Sequence, residues 1–528
     1  MALFTFATRL ALLALFHHVH ANPLLIQSRQ NRQCAPGTFS NVTIGPGVSY
    51  IIENASPVPA NGYFQESAAA DKGFPGAFGL PSLCAVIVNV TNTSAIPQSN
   101  YRLGIFLPDT WNSKVLTVGS ASFAGGINWP AMGEGVHYQM ATISTDNGHN
   151  SLGSDLNWAN PSTLLDWGFR ALHGSVVVGK LMTTAYYGQG STRSYYSGCS
   201  TGGRQGLREI QNSPDSFDGA LIGAPAWDTK TLMPWITKIA VDVLNGTGPF
   251  GQPEMDFLAL KILAQCDSVD GHNDSIVSWP EQCNPDFSTF QCSGPNPPLG
   301  NITCLTAGQI AIAQKIYSNY TTSNGTFVHN GFEISSENQW GTYLNGTTPS
   351  TFDVAYERYF LYNDPTWSWQ QWSDNVSYNS INKDPGLATA DKYNISEFEA
   401  RGGKIVMYHG LADGLVPTKS SELYYSKTKD AMPGTNVTNF FRYFQVPGMQ
   451  HCVGTNGTFV DAPWMFAGAN QAYDLQTVKF GPGWSVPGFL NDSRFDALVA
   501  MMNWVENHVA VDNITATAVS NILLCSLY

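Results

Sequence analysis

Short apolar runs alternate with helix-like segments in two parts of this sequence. The alternation extends from about Val86 to Asp228 and returns near residue 394. The strand-like runs are Leu103–Phe106, Lys114–Gly119, Met140–Ser144, Tyr195–Gly198, Gly219–Gly223 and Lys404–Tyr408. The helix-like segments are Leu172–Tyr186 and Arg494–His508. Such alternation predicts an α/β fold with a mostly parallel sheet and helices on both faces.

An irregular stretch from about Lys230 to Tyr393 separates the two blocks. It holds four of the nine cysteines, several tryptophans and many Pro, Asn and Ser residues. We interpret it as an insertion with its own small core. The predicted domains are therefore a first α/β part at 22–229, an inserted domain at 230–393 and a second α/β part at 394–528.

The N-terminal 21 residues have the layout of a secretory signal peptide, with Arg9, an apolar run Leu10–Phe16 and a small residue at Ala21. No later stretch approaches the roughly 18 uninterrupted apolar residues of a membrane helix. Sixteen Asn-x-Ser/Thr sequons, from Asn41 to Asn513, are typical of a glycoprotein. A net charge of −13 without a basic run argues against nucleic-acid binding. We expect a secreted, extracellular glycoprotein with no membrane or nucleic-acid partner, and the oligomeric state stays open.

The segment Gly198–Gly202 reads Gly-Cys-Ser-Thr-Gly and lies between an apolar strand and a helix-like stretch. In a G-x-S-x-G turn the glycines permit a tight strand-to-helix turn that exposes the serine hydroxyl. The N-terminus of the following helix favours negative charge, and the Thr201 N–H is placed to donate to an oxyanion. Ser200 is therefore the candidate nucleophile.

A serine nucleophile needs a base and an orienting carboxylate, which follow it in the chain order Ser, Asp, His in folds of this kind. Asp413 lies in a loop just after the Lys404–Tyr408 strand, where the carboxyl edge of the sheet is expected. His451 follows in a short Pro-Gly loop. The alternative bases are His409, which we interpret as a structural residue at a strand end, and His508 on the last helix.

Nine cysteines in an oxidising compartment predict disulfides. The predicted local pairs are Cys34–Cys84, Cys266–Cys283 and Cys292–Cys304, with Cys525 left over. Cys199 precedes Ser200 and Cys452 follows His451. If Ser200 and His451 are in hydrogen-bond contact, these cysteines can fall within the bridging Cα separation of about 4.4–6.8 Å. We predict a Cys199–Cys452 bridge; a buried free thiol at Cys199 is the alternative.

Several motifs together resemble the signature of the tannase and feruloyl esterase family. They are the segments Ser144–His149, Ser194–Gly206, Phe217–Ala226 and Gly448–Cys452. The resemblance covers nearly the whole chain after the signal peptide. It implies an α/β-hydrolase domain with a large inserted lid, which corresponds to the insertion at 230–393.

The same resemblance implies specific site residues. The implied catalytic triad is Ser200, Asp413 and His451, and the implied bridge is again Cys199–Cys452. The glycine loop at Gly119–Ser120 is similar to the oxyanion loop of the family, which implies Ser120 as a second oxyanion donor beside Thr201.

The family also implies a calcium site in the lid, at Asp267–Ile276. This segment supplies three carboxylates within eight residues and a glycine that lets the loop curl, and hard oxygen ligands suit Ca²⁺. The implied ligands are the side chains of Asp267, Asp270 and Asp274 and the carbonyls of His272 and Ile276. We interpret the ion as structural, because the loop lies in the insertion; a polar turn without metal is the alternative, and no organic cofactor is expected.

The resemblance implies a carboxylic ester hydrolase that cleaves aromatic acid esters through an acyl-enzyme. Feruloyl esterases accept hydroxycinnamates, whereas tannases accept gallates, whose three hydroxyls need matched polar partners. Some fungal tannases of the family are cut at a Lys-Arg pair in the lid, and no adjacent basic pair occurs in this sequence. We therefore expect the substrates of this enzyme to be feruloyl esters of plant cell-wall polysaccharides such as xylan. The alternatives are a tannase and a non-catalytic secreted glycoprotein on a hydrolase scaffold.

Overall fold

The computed structural model describes residues 33–66, 72–246, 250–294, 302–344, 349–455, 464–465, 492–519 and 525–527. The signal peptide predicted at residues 1–21 lies outside this part of the chain. None of the described helices is long and apolar enough to cross a membrane.

The strands and helices follow one another in an α/β arrangement. The strands are β1 (Val48–Val58), β2 (Gly62–Phe64), β3 (Ala77–Leu80), β4 (Leu83–Asn92), β5 (Ser99–Pro108), β6 (Lys114–Val118), β7 (Ala141–Thr145), β8 (Arg193–Cys199), β9 (Gly219–Gly223), β10 (Tyr320–Thr321), β11 (Phe327–His329), β12 (Lys404–Gly410), β13 (Phe441–Val446), β14 (Trp464–Met465), β15 (Thr517–Val519) and β16 (Cys525–Leu527). The α-helices are α1 (Trp129–Val136), α2 (Pro161–Leu165), α3 (Ala171–Tyr187), α4 (Thr201–Asn212), α5 (Thr229–Leu244), α6 (Gln252–Cys266), α7 (Ala307–Tyr317), α8 (Gly341–Leu344), α9 (Thr351–Ala355), α10 (Asp374–Lys383), α11 (Ser396–Ala400), α12 (Thr418–Ala431) and α13 (Ala497–Asn507).

Nine of these strands form one central sheet in the order β1-β4-β5-β7-β6-β8-β9-β12-β13. The pairs from β7 through β13 are parallel, as the alternation predicted. The β1–β4, β4–β5 and β5–β7 pairs are antiparallel, which the sequence analysis did not anticipate. The six-residue connection 93–98 between β4 and β5 is too short for a crossover, so these two strands must pair antiparallel.

Helices cover both faces of the sheet, because the strands are apolar on both sides. On one face, Val178 and Met182 of α3 pack with Ile105 and Ile143 of the sheet. On the other face, α1 and α13 bury Trp129 and Met501 in a second cluster. The central sheet with parallel strands and helices on both faces confirms the α/β-hydrolase fold predicted from the sequence.

The chain between β9 and β12 forms a further apolar cluster, most of whose members lie within residues 230–393. Phe123, Trp167 and Val416 join this cluster from outside the stretch. The insertion therefore packs directly against loops of the central sheet, and its domain boundaries stay a prediction. Two disulfides, Cys266–Cys283 and Cys292–Cys304, lie inside it, and Cys34–Cys84 ties the N-terminal segment to β4.

Candidate active site

The candidate nucleophile occupies a sharp turn between a buried strand and a helix. β8 ends at Cys199 and α4 begins at Thr201, which leaves Ser200 alone between them with φ 61° and ψ −123°. A side-chain-bearing residue at positive φ is strained, and such strain persists where the surroundings over-determine it. Here the Ser200 N–H donates to the Gly223 carbonyl at 3.0 Å, while the Ser200 carbonyl accepts the N–H of Ala226 at 3.1 Å.

The two glycines of the motif are required by close backbone packing. A Cβ at Gly198 would lie 2.7 Å from the carbonyl carbon of Gly202. A Cβ at Gly202 would lie 2.8 Å from the carbonyl oxygen of Ser120 and 3.2 Å from the Cα of Gly119. The backbone of α4 at Gly202 therefore lies directly against the backbone of the loop after β6. Only glycine, which has no Cβ, fits at this position.

The structure brings the candidate acid and base into direct contact. The Asp413 carboxylate follows β12 and is fully buried. Its Oδ2 accepts a hydrogen bond from Nδ1 of His451 at 2.7 Å, and its Oδ1 accepts the N–H groups of Leu415 and Val416, both at 2.8 Å. The carboxylate is thereby fixed by its own loop while one oxygen orients the His451 ring.

A second histidine, His409, contacts the same carboxylate. Its Nε2 lies 2.9 Å from Asp413 Oδ2 and 2.9 Å from the Val416 carbonyl oxygen. Since both neighbours are acceptors, Nε2 must carry a proton, and Nδ1 lies 2.8 Å from the Ser421 hydroxyl. His409 is thus a buried partner of Asp413, a role that its position at a strand end did not indicate.

The surroundings of Asp413 keep it ionised. Burial by itself raises the pKa of this carboxyl, but the charge of His451 and the hydrogen bonds from His409 and His451 outweigh burial. Together they hold the pKa of Asp413 well below its usual range. The carboxylate is therefore a permanent negative charge beside the His451 ring near neutral pH.

A disulfide joins the Ser200 turn to the His451 loop, as predicted. Cys199 and Cys452 are bonded with a Cα separation of 6.0 Å across 253 residues of sequence. Ser200 and His451 both line one cavity of about 410 Å³, together with both of these cysteines. Ser200 and His451 therefore border the same cavity, and a covalent bond links the two chain segments that carry them.

The cavity is mostly apolar and is built from both parts of the fold. The insertion contributes Leu232, Met233, Ile236 and Phe352, and the central domain contributes Phe123. Beneath the cavity, the Arg204 guanidinium lies 4.2 Å from the ring centroid of Trp167, another lining residue. The fully buried Arg204 donates to the carbonyls of Gly168 and Trp167, and this anchors the tryptophan.

Thr201 and Ser120, the two oxyanion donors predicted from the sequence, differ in whether their N–H groups are already hydrogen-bonded. Thr201 stands at the first position of α4 and lines the cavity, as expected of a backbone donor. The Ser120 N–H instead donates to Oε1 of Gln205 at 3.0 Å. This amide is already satisfied, so the prediction of Ser120 as an oxyanion donor needs correction.

Gln205 and Asn147 hold the loop that carries Ser120. Nε2 of Gln205 donates to Asn147 Oδ1 at 2.8 Å, and Nδ2 of Asn147 donates to the Ala124 carbonyl at 3.1 Å. Both amides lie in motifs that carry the family resemblance, yet neither suggested a chemical role in the sequence. Their role depends on tertiary neighbours and was missed for that reason.

The proposed calcium loop is an exposed turn in which the aspartates bind backbone amides. Asp267 Oδ1 accepts the N–H groups of residues 274, 275 and 276, at 3.1, 2.9 and 3.3 Å. Asp270 Oδ1 accepts the His272 N–H, and Asp274 Oδ1 accepts the Ile276 N–H. Among the residues described, no three acidic, histidine or cysteine side chains are gathered to hold a metal. In this arrangement the three carboxylates lie on one turn and bind backbone amides, and calcium binding stays a prediction.

Comparison with known proteins decides the family. The family model described as "Tannase and feruloyl esterase" matches residues 84–360 and 370–522. The chain belongs to the tannase and feruloyl esterase family. It is accordingly a carboxylic ester hydrolase.

Individual members of the family align over most of the chain. "Probable feruloyl esterase B-1" of Aspergillus oryzae is 30% identical over 436 residues, which span 82% of this chain and 76% of the relative. The crystal structure of feruloyl esterase B from Aspergillus oryzae superposes with a TM-score of 0.79 at 26% identity, covering 93% of this chain and 94% of the other. Tannin acyl hydrolase from Aspergillus niger shares the fold, with a TM-score of 0.71 at 21% identity and coverage of 94% and 91%.

Substituting Gly202 by alanine in this esterase tests whether the close packing at Gly202 is required. Helix propensity alone favours Gly202→Ala by about 1 kcal/mol, whereas a new Cβ 2.8 Å from a backbone oxygen causes overpacking that costs about 1–3 kcal/mol. We expect net destabilisation together with a loss of esterase activity, because the loop after β6 must move. Denaturant unfolding and initial rates measure both.

Gly190→Ala is the matched control, since the nearest atom to its new Cβ is the Thr184 hydroxyl at 3.9 Å. Its stability and activity should equal those of the wild type. A Gly202→Ala variant that is as stable and active as Gly190→Ala would contradict the packing argument.

Proposed function

We propose that the enzyme hydrolyses aromatic acid esters with Ser200 as nucleophile, His451 as general base and Asp413 as orienting acid. The observation that carries this proposal is the 2.7 Å hydrogen bond from His451 Nδ1 to Asp413 Oδ2 at a cavity that Ser200 also lines. Family membership supports ester hydrolysis. The chain order Ser, Asp, His supports the assignment of the roles.

In the first half-reaction His451 Nε2 removes the proton from the Ser200 hydroxyl as Oγ attacks the ester carbonyl carbon. The Nδ1–H donated to Asp413 fixes the tautomer that leaves Nε2 unprotonated. When the tetrahedral intermediate collapses, His451 gives the proton to the departing alcohol and the acyl group stays on Ser200. In the second half-reaction His451 takes a proton from water as the water oxygen attacks the acyl carbonyl carbon. When this second tetrahedral intermediate collapses, His451 returns the proton to Ser200 Oγ, and the acid is released.

The N-terminus of α4 stabilises the oxyanion in the proposed mechanism. The Thr201 N–H at the first position of the helix has no intrahelical acceptor, so it is available to an oxyanion, and the helix dipole adds favourable potential. Removing one such donor typically costs about 10²–10³ in kcat in serine hydrolases. The Ser120 amide takes no part, because it donates to Gln205.

The mostly apolar wall supports a hydroxycinnamoyl acyl group, and the polar side chains in it, such as Ser122, Thr229 and Tyr343, are neutral. Apart from His451, no Asp, Glu, Lys, Arg or His side chain lines the cavity in the described part of the chain. Three gallate hydroxyls would need matched polar partners, and each buried hydroxyl left unpaired costs about 1–3 kcal/mol. A ferulate ring presents fewer hydroxyls and more apolar surface. Galloyl esters are the second candidate, supported by the shared fold of the Aspergillus niger tannin acyl hydrolase.

Secretion is part of the proposal. Four disulfides in the described chain are typical of proteins that fold in an oxidising compartment. The signal-like N-terminus and the sequons agree with this compartment. The natural substrate we propose is a feruloyl ester of extracellular plant cell-wall polysaccharide.

Kinetics on two small esters tests the substrate. We expect kcat/KM for methyl ferulate to exceed that for methyl gallate by at least tenfold, which corresponds to about 1.4 kcal/mol of differential transition-state binding. Ser200→Ala should lower kcat/KM on both esters by several orders of magnitude, because the covalent step is lost. A preference for methyl gallate would contradict the feruloyl assignment but retain the triad.

Metal dependence tests the calcium prediction. If loop 267–276 binds calcium in the folded state, the melting temperature should rise with added CaCl₂ and fall after EDTA treatment; saturation at 100 times Kd stabilises by about 2.7 kcal/mol. Asp270→Asn should weaken this response, with MgCl₂ as the ion control. Identical melting curves in CaCl₂ and EDTA would contradict the prediction.

A further inference from the structure

One side chain of the insertion contacts both loops that carry the candidate base and acid. Gln339 lies at the end of a short 3-10 turn, Glu337–Gln339. Its Oε1 accepts the N–H of Gly414 at 3.0 Å and the N–H of His451 at 3.1 Å. Since both neighbours are backbone donors, only the amide oxygen can face them. The backbone of the candidate base and the residue after Asp413 are thus joined through one oxygen atom of the lid.

The fit between the turn and the Asp413 loop is tight. A Cβ at Gly414 would lie 2.4 Å from the Ser336 carbonyl oxygen and 2.7 Å from the Gln339 Cβ. A glycine at 414 therefore permits the backbone of the insertion to sit directly on the Asp413 loop. Such an approach leaves little freedom for the Gln339 side chain to move without moving that loop.

The turn that carries Gln339 is anchored on its other side. The fully buried Glu337 accepts the hydroxyl of Tyr317 at 2.6 Å and the N–H of Ser335 at 2.8 Å. The Trp340 indole, also buried, donates to the Ser336 hydroxyl at 3.0 Å. Gln339 is therefore held between a rigid part of the insertion and the two catalytic loops.

The same stretch of chain reaches the substrate cavity three residues later. Thr342 and Tyr343 line the cavity beside Ser200 and His451. One short segment thus contributes both a contact to the backbone of the base and part of the cavity wall.

We propose that Gln339 is a positioning residue that holds the His451 backbone in register with Asp413, so that the insertion completes the catalytic geometry. The inference rests on the roles proposed above for Ser200, His451 and Asp413. Loss of the amide oxygen leaves the His451 and Gly414 N–H groups without their acceptor and loosens the His451 loop. A displacement of about 1 Å at a reacting group can cost as much as 10² in rate.

Three variants separate positioning from general support of the fold. Gln339→Leu removes the acceptor at similar size. Asn338→Leu makes the matched change at the preceding position, where the amide donates to Asp256 inside the insertion. We expect Gln339→Leu to lower kcat at least tenfold with KM within about twofold of the wild type, and Asn338→Leu to keep the wild-type kcat.

Gln339→Glu supplies a readout that a merely structural role would not move. The carboxylate keeps an acceptor oxygen for the two N–H groups. At alkaline pH, the kcat of Gln339→Glu should therefore be close to that of the wild type and well above that of Gln339→Leu. Its negative charge stabilises positive charge on the His451 imidazole. Because the base must be unprotonated, the acidic limb of the kcat/KM profile should shift to higher pH than in the wild type. This limb stays measurable in Gln339→Glu even where Gln339→Leu fails to fold.

The controls keep this inference distinct from the proposed function. Ser200→Ala and His451→Ala are assayed first on methyl ferulate; full activity in either would overturn the proposed triad itself. With both controls inactive, wild-type kcat in Gln339→Leu overturns only the positioning role. So does an equal loss of kcat in Asn338→Leu, or an acidic limb in Gln339→Glu that does not move.

Discussion

The Cys199–Cys452 disulfide joins the turn that carries Ser200 to the loop that carries His451. Ser200 follows β8 and the His451 loop follows β13, and the sheet order β8-β9-β12-β13 places these strands about 14 Å apart at the usual strand spacing. The His451 loop must fold back across the strand ends to reach the nucleophile. A covalent bond with Cα atoms 6.0 Å apart fixes this return independently of side-chain packing.

Electrostatics at the site centre on one buried carboxylate. Asp413 accepts hydrogen bonds from two histidines and two backbone amides, which together compensate the cost of burying its charge. Only His451 borders the cavity, whereas His409 is buried behind Asp413. The two histidines therefore have different tasks: His451 faces the cavity, and the buried His409 donates to the same Oδ2 of Asp413.

Much of this site was predictable from the sequence, because its signals are local. The Gly-Cys-Ser-Thr-Gly motif is recognisable because it lies between an apolar strand and a helix. Chain order and the flanking cysteines indicate His451 as the candidate base. The antiparallel half of the sheet, the capture of the Ser120 amide by Gln205 and the contacts of Gln339 were not predictable. Each depends on residues that lie far apart in the chain and meet only after folding.

Labelling with a serine-directed phosphonate, followed by peptide mass spectrometry without reduction, tests directly whether Ser200 is the nucleophile. We expect a single adduct on Ser200, in a peptide that stays linked to the His451 peptide through Cys199–Cys452. Labelling should be much slower in His451→Ala, because the base is lost. An adduct on another serine, or an active enzyme in which Ser200 stays unlabelled, would contradict the account.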